Sequence, residues 1–172
     1  MNILTLAHCA PRASFTLDAS HGVYALHLKR DAVLPGIVPG ERGLIYIGKA
    51  SGSGGLKGRC HFKGSSASHS PRRSLAALLI DELKLVPKSV PHPDGAYKTW
   101  GLELISEKVL DRWMHDNLLL AIEPRDDAAL HEQELIWKHQ PVLNLRDCPQ
   151  SAQHEMVSAA RRHISDMIRA AI

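Results

Sequence analysis

Two Pro-Gly pairs, Pro35-Gly36 and Pro39-Gly40, lie between two short apolar runs and limit the possible folds more than any other feature of this chain. Proline fixes φ and donates no hydrogen bond, and glycine opens the left-handed turn region, so residues 31–43 can form neither a helix nor a central strand. They read as a long hairpin connection. Before them, His21 to Leu28 alternates as a strand, with Tyr24, Leu26 and Leu28 on one face and Val23 and Ala25 on the other. After them, Leu44 to Gly48 reads as a second short strand, antiparallel to the first.

The rest of the chain alternates helical and strand signals. Ser51 to Gly55 is a glycine-serine loop with no Gly-Lys-Ser/Thr after it, so it is not a phosphate-binding P-loop. Leu56 to Lys63 suits about two helical turns. Ser70 followed by Pro71 is a helix start, and the apolar spacing of Leu75, Leu78, Leu79 and Leu83 carries that helix to about Val86. Three prolines between Val86 and Ala96 indicate a loop, and Thr99 to Ile105 a third strand. Ser106 is placed to cap a helix to about Asn117, and Leu118 to Glu123 is strand-like. Asp127 opens a helix that Pro141 stops. Ser151 to Ala171 is an amphipathic helix with Met156, Val157, Ala160, Ile164, Met167 and Ile168 along one stripe. That stripe suits packing on the core, or a homodimer interface.

The expected fold is therefore α+β: a small antiparallel sheet flanked by helices, with a core over about residues 20–146 and a C-terminal helix over about 151–171, all in one domain. No apolar run approaches the length of a membrane span, and Met1 to Ala7 lacks the basic start of a secretory signal, so a soluble, cytoplasmic protein is expected. Cys9, Cys60 and Cys148 form no CxxC pair, and the eleven histidines include no HxxxH or HExxH, so the sequence outlines neither a disulfide framework nor a zinc site.

Charge is distributed unevenly. Between Arg42 and Ile80 seven cations (Arg42, Lys49, Lys57, Arg59, Lys63, Arg72 and Arg73) occur without a single Asp or Glu. Such a stretch suits a polyanion such as nucleic acid, or else a solvated face. Arg72 and Arg73 fall in the first turn of a helix, where the dipole disfavours cations but a phosphate would be welcome. Lys49, Lys57, Lys63, Arg72 and Arg73 are the candidate DNA contacts, the alternative being exposed surface charge.

Glu132 is the residue whose placement demands most. On a helical wheel at ~100° per residue, Ala128, Ala129, Leu135 and Ile136 fall within about 60° of it, so its carboxylate is centred on the inward face. A buried carboxylate needs a cation or a metal, the structural alternative being a pair with a buried arginine. Glu134 falls on the opposite side, four residues before Lys138, the favourable order for an exposed ion pair.

Gly22-Val23-Tyr24 and Tyr46-Ile47-Gly48 resemble the two signatures of the GIY-YIG nuclease family, and Leu56-Lys57-Gly58-Arg59 resembles the helix that carries its arginine. The run from Glu132 to Asn144, twelve residues on, with Leu135-Ile136 and Pro141 between, resembles the family's closing motif. Twenty-one residues separate the two tyrosines, which the Pro-Gly insertion explains. Where the family carries a histidine or tyrosine four residues after the arginine, this chain has Lys63, with His61 two residues after it.

The resemblance implies a DNA endonuclease that hydrolyses phosphodiester bonds with a divalent metal, Mg2+ or in its place Mn2+, held by Glu132. It implies that Tyr24 acts as general base or orients water, and that Tyr46 positions water or phosphate. Arg59 would neutralise charge on the phosphate, Asn144 would be structural or phosphate-orienting, and His61 would be a candidate proton relay. The alternatives are a catalytically inactive nucleic-acid-binding module of the same fold, and a structural or protein-interaction domain.

Overall fold

A computed structural model describes residues 10–14, 16, 18, 20–59, 62–91, 98–146 and 148–170. Strands β1 (Gly22–Leu28), β2 (Leu44–Ala50) and β5 (Leu118–Pro124) form a three-stranded sheet in the order β2-β1-β5, and β3 (Pro87–Pro91) pairs with β4 (Lys98–Leu102) in a second, two-stranded sheet. All pairings are antiparallel. The helices are α1 (Gly55–Gly58), α2 (Ser70–Leu78), α3 (Leu104–Asn117), α4 (Ala128–His139) and α5 (Ala152–Ala170). Among the described residues no helix is long and apolar enough to cross a membrane.

The alternation read in β1 divides the interior in two. Tyr24, Leu26 and Leu28 face a large apolar cluster that also holds Phe62, Leu75, Trp100, Leu110, Val157 and Ile164. Val23 and Ala25 face the other way, into a smaller cluster with Ile47, Ala121 and Ile136 of α4. The amphipathic stripe of α5 packs on the first cluster through Val157 and Ile164, with Met156, Ala160 and Ile168 alongside. Met167, at the end of the expected stripe, is exposed.

The Pro-Gly segment is a hairpin connection, and α5 anchors it. Gln153 accepts a hydrogen bond from the Val38 amide at 2.6 Å. Gly36 has φ +69°, so the turn favours glycine; a Cβ there would also meet the flexible end of the Met156 side chain at 2.9 Å.

Several local expectations change. α2 ends at Leu78 rather than near Val86, and its N-cap is His69 rather than Ser70. The apolar spacing runs on through Leu83, but the chain turns back there and Lys84 has φ +52°. The expected loop after Val86 contains β3, which has a proline at each end, where a missing amide is tolerated. α1 is a single turn. Ser106 lies inside α3, and its hydroxyl accepts from the Val86 amide at 2.9 Å instead of capping the helix. Asp127 is the N-cap of α4, but its side chain binds Arg125.

Candidate active site

The two signature strands meet in a register that brings their tyrosines together. Tyr24 lies opposite Gly48, and Tyr46 opposite Leu26. Both tyrosines therefore occupy one face as diagonal neighbours, with ring centroids 6.0 Å apart and planes tilted at 44°. Gly48 makes room for this pair. A Cβ there would lie 2.7 Å from the Tyr24 ring and hydroxyl and 2.7 Å from the Tyr46 ring. Gly22 is constrained in the same way, because a Cβ would lie 2.5 Å from the Glu123 carbonyl of β5.

β2 is an edge strand, and a cavity of about 350 Å³ opens beside it. Tyr46, His69, Glu132, Asn144 and three arginines are among its lining residues. Tyr24 is behind this wall, 2% exposed, with its hydroxyl 3.5 Å from His69 Nε2. Burial pushes the Tyr24 phenol well above its ordinary pKa; neighbouring Tyr46 adds to this and the Arg59 charge opposes it. Tyr46 is raised too, first by burial and then by the Glu132 charge, with Arg59 again opposing. His69 is pushed down to about 4, first by burial and then by the charges of Arg72 and Arg59. At neutral pH the site thus holds two phenols and a neutral imidazole, all within the field of an exposed guanidinium.

Glu132 lies where the wheel put it, facing the sheet with its side chain 15% exposed. Its cation is not the buried arginine of the structural alternative but Lys49 of β2, part-exposed and at 3.0 Å. Ala128 and Ile136 flank it in the interior, but Ala129 is exposed, so the buried stripe of α4 is narrower than expected. Glu134 is on the outer side, 65% exposed, and lies 3.6 Å from His131 Nδ1. The Asn144 amide is committed to the backbone: Oδ1 accepts from the Ile47 amide at 2.9 Å, and Nδ2 donates to the Ile47 carbonyl at 2.8 Å. With Leu143 N donating to Ile45 O at 2.9 Å, the segment after α4 covers the open edge of β2. This geometry matches the structural alternative for Asn144.

Arg72 must be reassigned. Its side chain is fully buried, with Nη2 2.7 Å from Glu107 Oε2 and Nη1 2.7 Å from Asp111 Oδ1. It is a core ion pair, and no phosphate can reach it. Arg73, the next residue, turns outward, donates to the Ser66 and Ala67 carbonyls, lies over Trp100 at 5.8 Å and lines the cavity. Lys57 and Lys63 are exposed but outside the cavity lining. The acid-free stretch is therefore no spatial patch, because Lys49 and Arg72 meet carboxylates brought from elsewhere in the chain and Arg42 pairs with Glu41 just before the stretch.

His61 falls outside the described residues. His69 had not been singled out from the sequence. The available signal was its position just before Ser70-Pro71, which makes it the N-cap that aims the chain into α2.

A sheet edge carrying paired tyrosines, an arginine on the following turn and a carboxylate on a helix across the edge defines a GIY-YIG-like α+β domain. The chain belongs to the GIY-YIG catalytic domain family, whose model matches residues 22–163. No curated protein and no solved structure matches the chain significantly.

Proposed function

We propose that this chain is a divalent-metal-dependent DNA endonuclease that hydrolyses phosphodiester bonds in the cavity beside β2. One observation carries the reading: Tyr46, His69 and the Glu132 carboxylate line one opening, Tyr24 lies directly behind it against Tyr46 and His69, and the Arg59 charge, though outside the lining, acts on both tyrosines and on His69. Simple binding of nucleic acid does not require a carboxylate there.

Phosphodiester hydrolysis needs an activated water, neutralised charge on the phosphate and help for the leaving oxygen. Tyr24 is a neutral phenol at rest, so it needs an acceptor for its own proton before it can take one from water. His69 Nε2 faces the phenol oxygen at 3.5 Å, but an imidazole pushed down to about 4 is too weak a base to take that proton; it holds the phenol in place, and Tyr24 orients the attacking water as a neutral hydroxyl. Arg59 neutralises charge on the phosphate. Tyr46 lines the opening and orients the phosphate or the water through its hydroxyl.

Glu132 suits a divalent cation of the magnesium kind, which binds one or two carboxylates and fills its remaining positions with water and phosphate oxygens. Among the described residues no cluster of three or more His, Cys, Asp or Glu side chains forms a closed cage. A metal at Glu132 supplies Lewis-acid stabilisation of the phosphate and the leaving oxygen. Lys49 already pairs with that carboxylate, so a metal there would have to displace or share with its ammonium. The same ion pair is the observation that favours the second reading, a binding module without cleavage.

The test is plasmid nicking with magnesium or manganese against a chelator control. Metal-dependent nicking that vanishes in Glu132→Gln, while that variant still shifts DNA in a gel, supports the endonuclease. A mobility shift without nicking under any metal supports the binding module.

A further inference from the structure

The catalytic cavity does not end at Arg73. It shares Arg73, Arg146 and Arg161 with a second cavity of about 330 Å³, which adds Arg162 and two serines of α5. Four guanidinium groups thus come together from three separate stretches of chain: α2, the segment after α4, and α5. Among the described residues, no ion pair to a carboxylate is formed by Arg146, Arg161 or Arg162. By contrast, Arg42, Arg72, Arg125 and Arg169 each pair with an acid. Arg161 is half-buried, touches Ser70 Oγ at 3.5 Å, and is pushed down to about 10, first by burial and then by the charges of Arg73 and Arg146. The fold holds these like charges together although they repel. An incoming polyanion would relieve that repulsion.

We propose that Arg73, Arg146, Arg161 and Arg162 form a second phosphate subsite, which grips the nucleic-acid backbone on the α5 side of the catalytic cavity. The inference rests on the nuclease reading and extends it. Guanidinium groups match phosphate oxygens with a bidentate fork, and Arg73 is already oriented by two carbonyls and the Trp100 face. Continuity with the catalytic cavity selects a chain-like ligand over a free anion, because one strand can occupy both cavities at once. α5 then has two roles: its apolar stripe closes the core, and its arginines hold substrate.

The experiment measures binding of a labelled DNA duplex in chelator, across a salt series, for wild type, Arg146→Gln/Arg162→Gln and the exposed control Arg169→Gln. Each phosphate contact contributes about 0.9 to the slope of log affinity against log salt, or roughly 3.5-fold between about 50 and 200 mM. The double variant should therefore lose up to about 12-fold of that salt response and bind more weakly at low salt, while Arg169→Gln matches wild type. Both replaced residues are exposed, and Arg162→Gln alone, expected at about half the effect, is a second check that disturbs packing least. If wild type nicks and binds DNA but the double and single variants keep its affinity and slope, the subsite is refuted and the nuclease reading stands. If wild type neither binds nor nicks DNA, the nuclease reading falls and the subsite with it.

Discussion

Replacing Arg72 with alanine separates two neighbouring arginines that look equivalent in the sequence. Arg72 Nη2 and Nη1 each lie 2.7 Å from a carboxylate, on Glu107 and Asp111, and Nη1 also approaches the Met114 sulfur at 3.4 Å. Removing one partner of a buried pair destabilises by about 3–5 kcal/mol, because the other charge is left desolvated. Glu107 keeps two donors, the Ser66 amide at 2.7 Å and the Ser66 hydroxyl at 2.9 Å, which argues for the lower part of that range. At roughly 2–4 °C per kcal/mol for a domain of this size, the expected loss in Tm is at least about 6 °C. Arg72→Lys should fall between wild type and alanine, since one ammonium cannot span both carboxylates as the fork does. Thermal unfolding followed by circular dichroism at pH 7 measures this, with Arg73→Gln run in parallel. Arg73→Gln, which gives up two hydrogen bonds to carbonyls and the contact with Trp100 but leaves no buried charge, should lose less than Arg72→Ala and bind DNA more weakly. If Arg72→Ala costs less than about 1 kcal/mol while Arg73→Gln is the destabilised variant, the division into core and surface arginine is wrong.

Three further outcomes are expected. Gly48→Ala should lose activity and about 1–3 kcal/mol of stability, because its Cβ would press on both tyrosine rings at 2.7 Å; near-wild-type nicking and melting would contradict the packing argument. Glu132→Gln should abolish metal-dependent nicking, whereas Glu134→Gln, exposed beside His131, should nick like wild type and change stability by at most a few tenths of a kcal/mol; the reverse pattern would mean the register of α4 is misread. His69 titrates near 4 when folded but near 6.5 when unfolded, so the unfolded chain binds more protons between those values. Stability should therefore fall as pH drops through that window, with His69 contributing up to about 1.4 kcal/mol per pH unit, and His69→Gln should flatten the urea-midpoint profile there; parallel profiles would place His69 in solvent.

The parts of the fold that follow from local rules could be read in the sequence. The alternation around Tyr24 assigns each side chain of β1 to the correct cluster, because period two leaves no other choice once one face is apolar. Glu132 could be identified because a charge inside an apolar stripe is conspicuous at helical spacing. Which cation answers it could not, since Lys49 lies eighty-three positions away and meets it only through packing of α4 on β2. Arg72 failed for the same reason: Glu107 and Asp111 come from α3, and one turn of sequence around Arg72 contains no hint of them. The end of α2 is not legible in the sequence, because Leu79 and Leu83 remain on the apolar side after the helix has stopped. β3 is hidden because proline content argues for a loop, although both of its prolines sit at the strand ends.

The placement of the site at a sheet edge explains why its residues are so scattered along the chain. An interior strand has neighbours on both sides, and nothing can approach its backbone. β2 has β1 on one side only, so its outer edge needs hydrogen-bond partners and offers access. Asn144 and Leu143 supply the partners at Ile47 and Ile45. They thereby fix the backbone on both sides of Tyr46 and rule out the pairing with another chain that a bare edge invites. The same stretch continues into Leu145 and Arg146, so the chain that closes the edge also carries an arginine to the mouth of the cavity. α4 ends just before this stretch, with Gln140 in the left-handed conformation, and that turn returns the chain from Glu132 to β2. The spacing from Glu132 to Asn144 is thus a length requirement. Two helical turns must carry the chain away from the carboxylate, and one reversal must bring an amide back to the strand that holds Tyr46. An insertion between them would leave both residues present but would pull either the carboxylate or the amide off the edge.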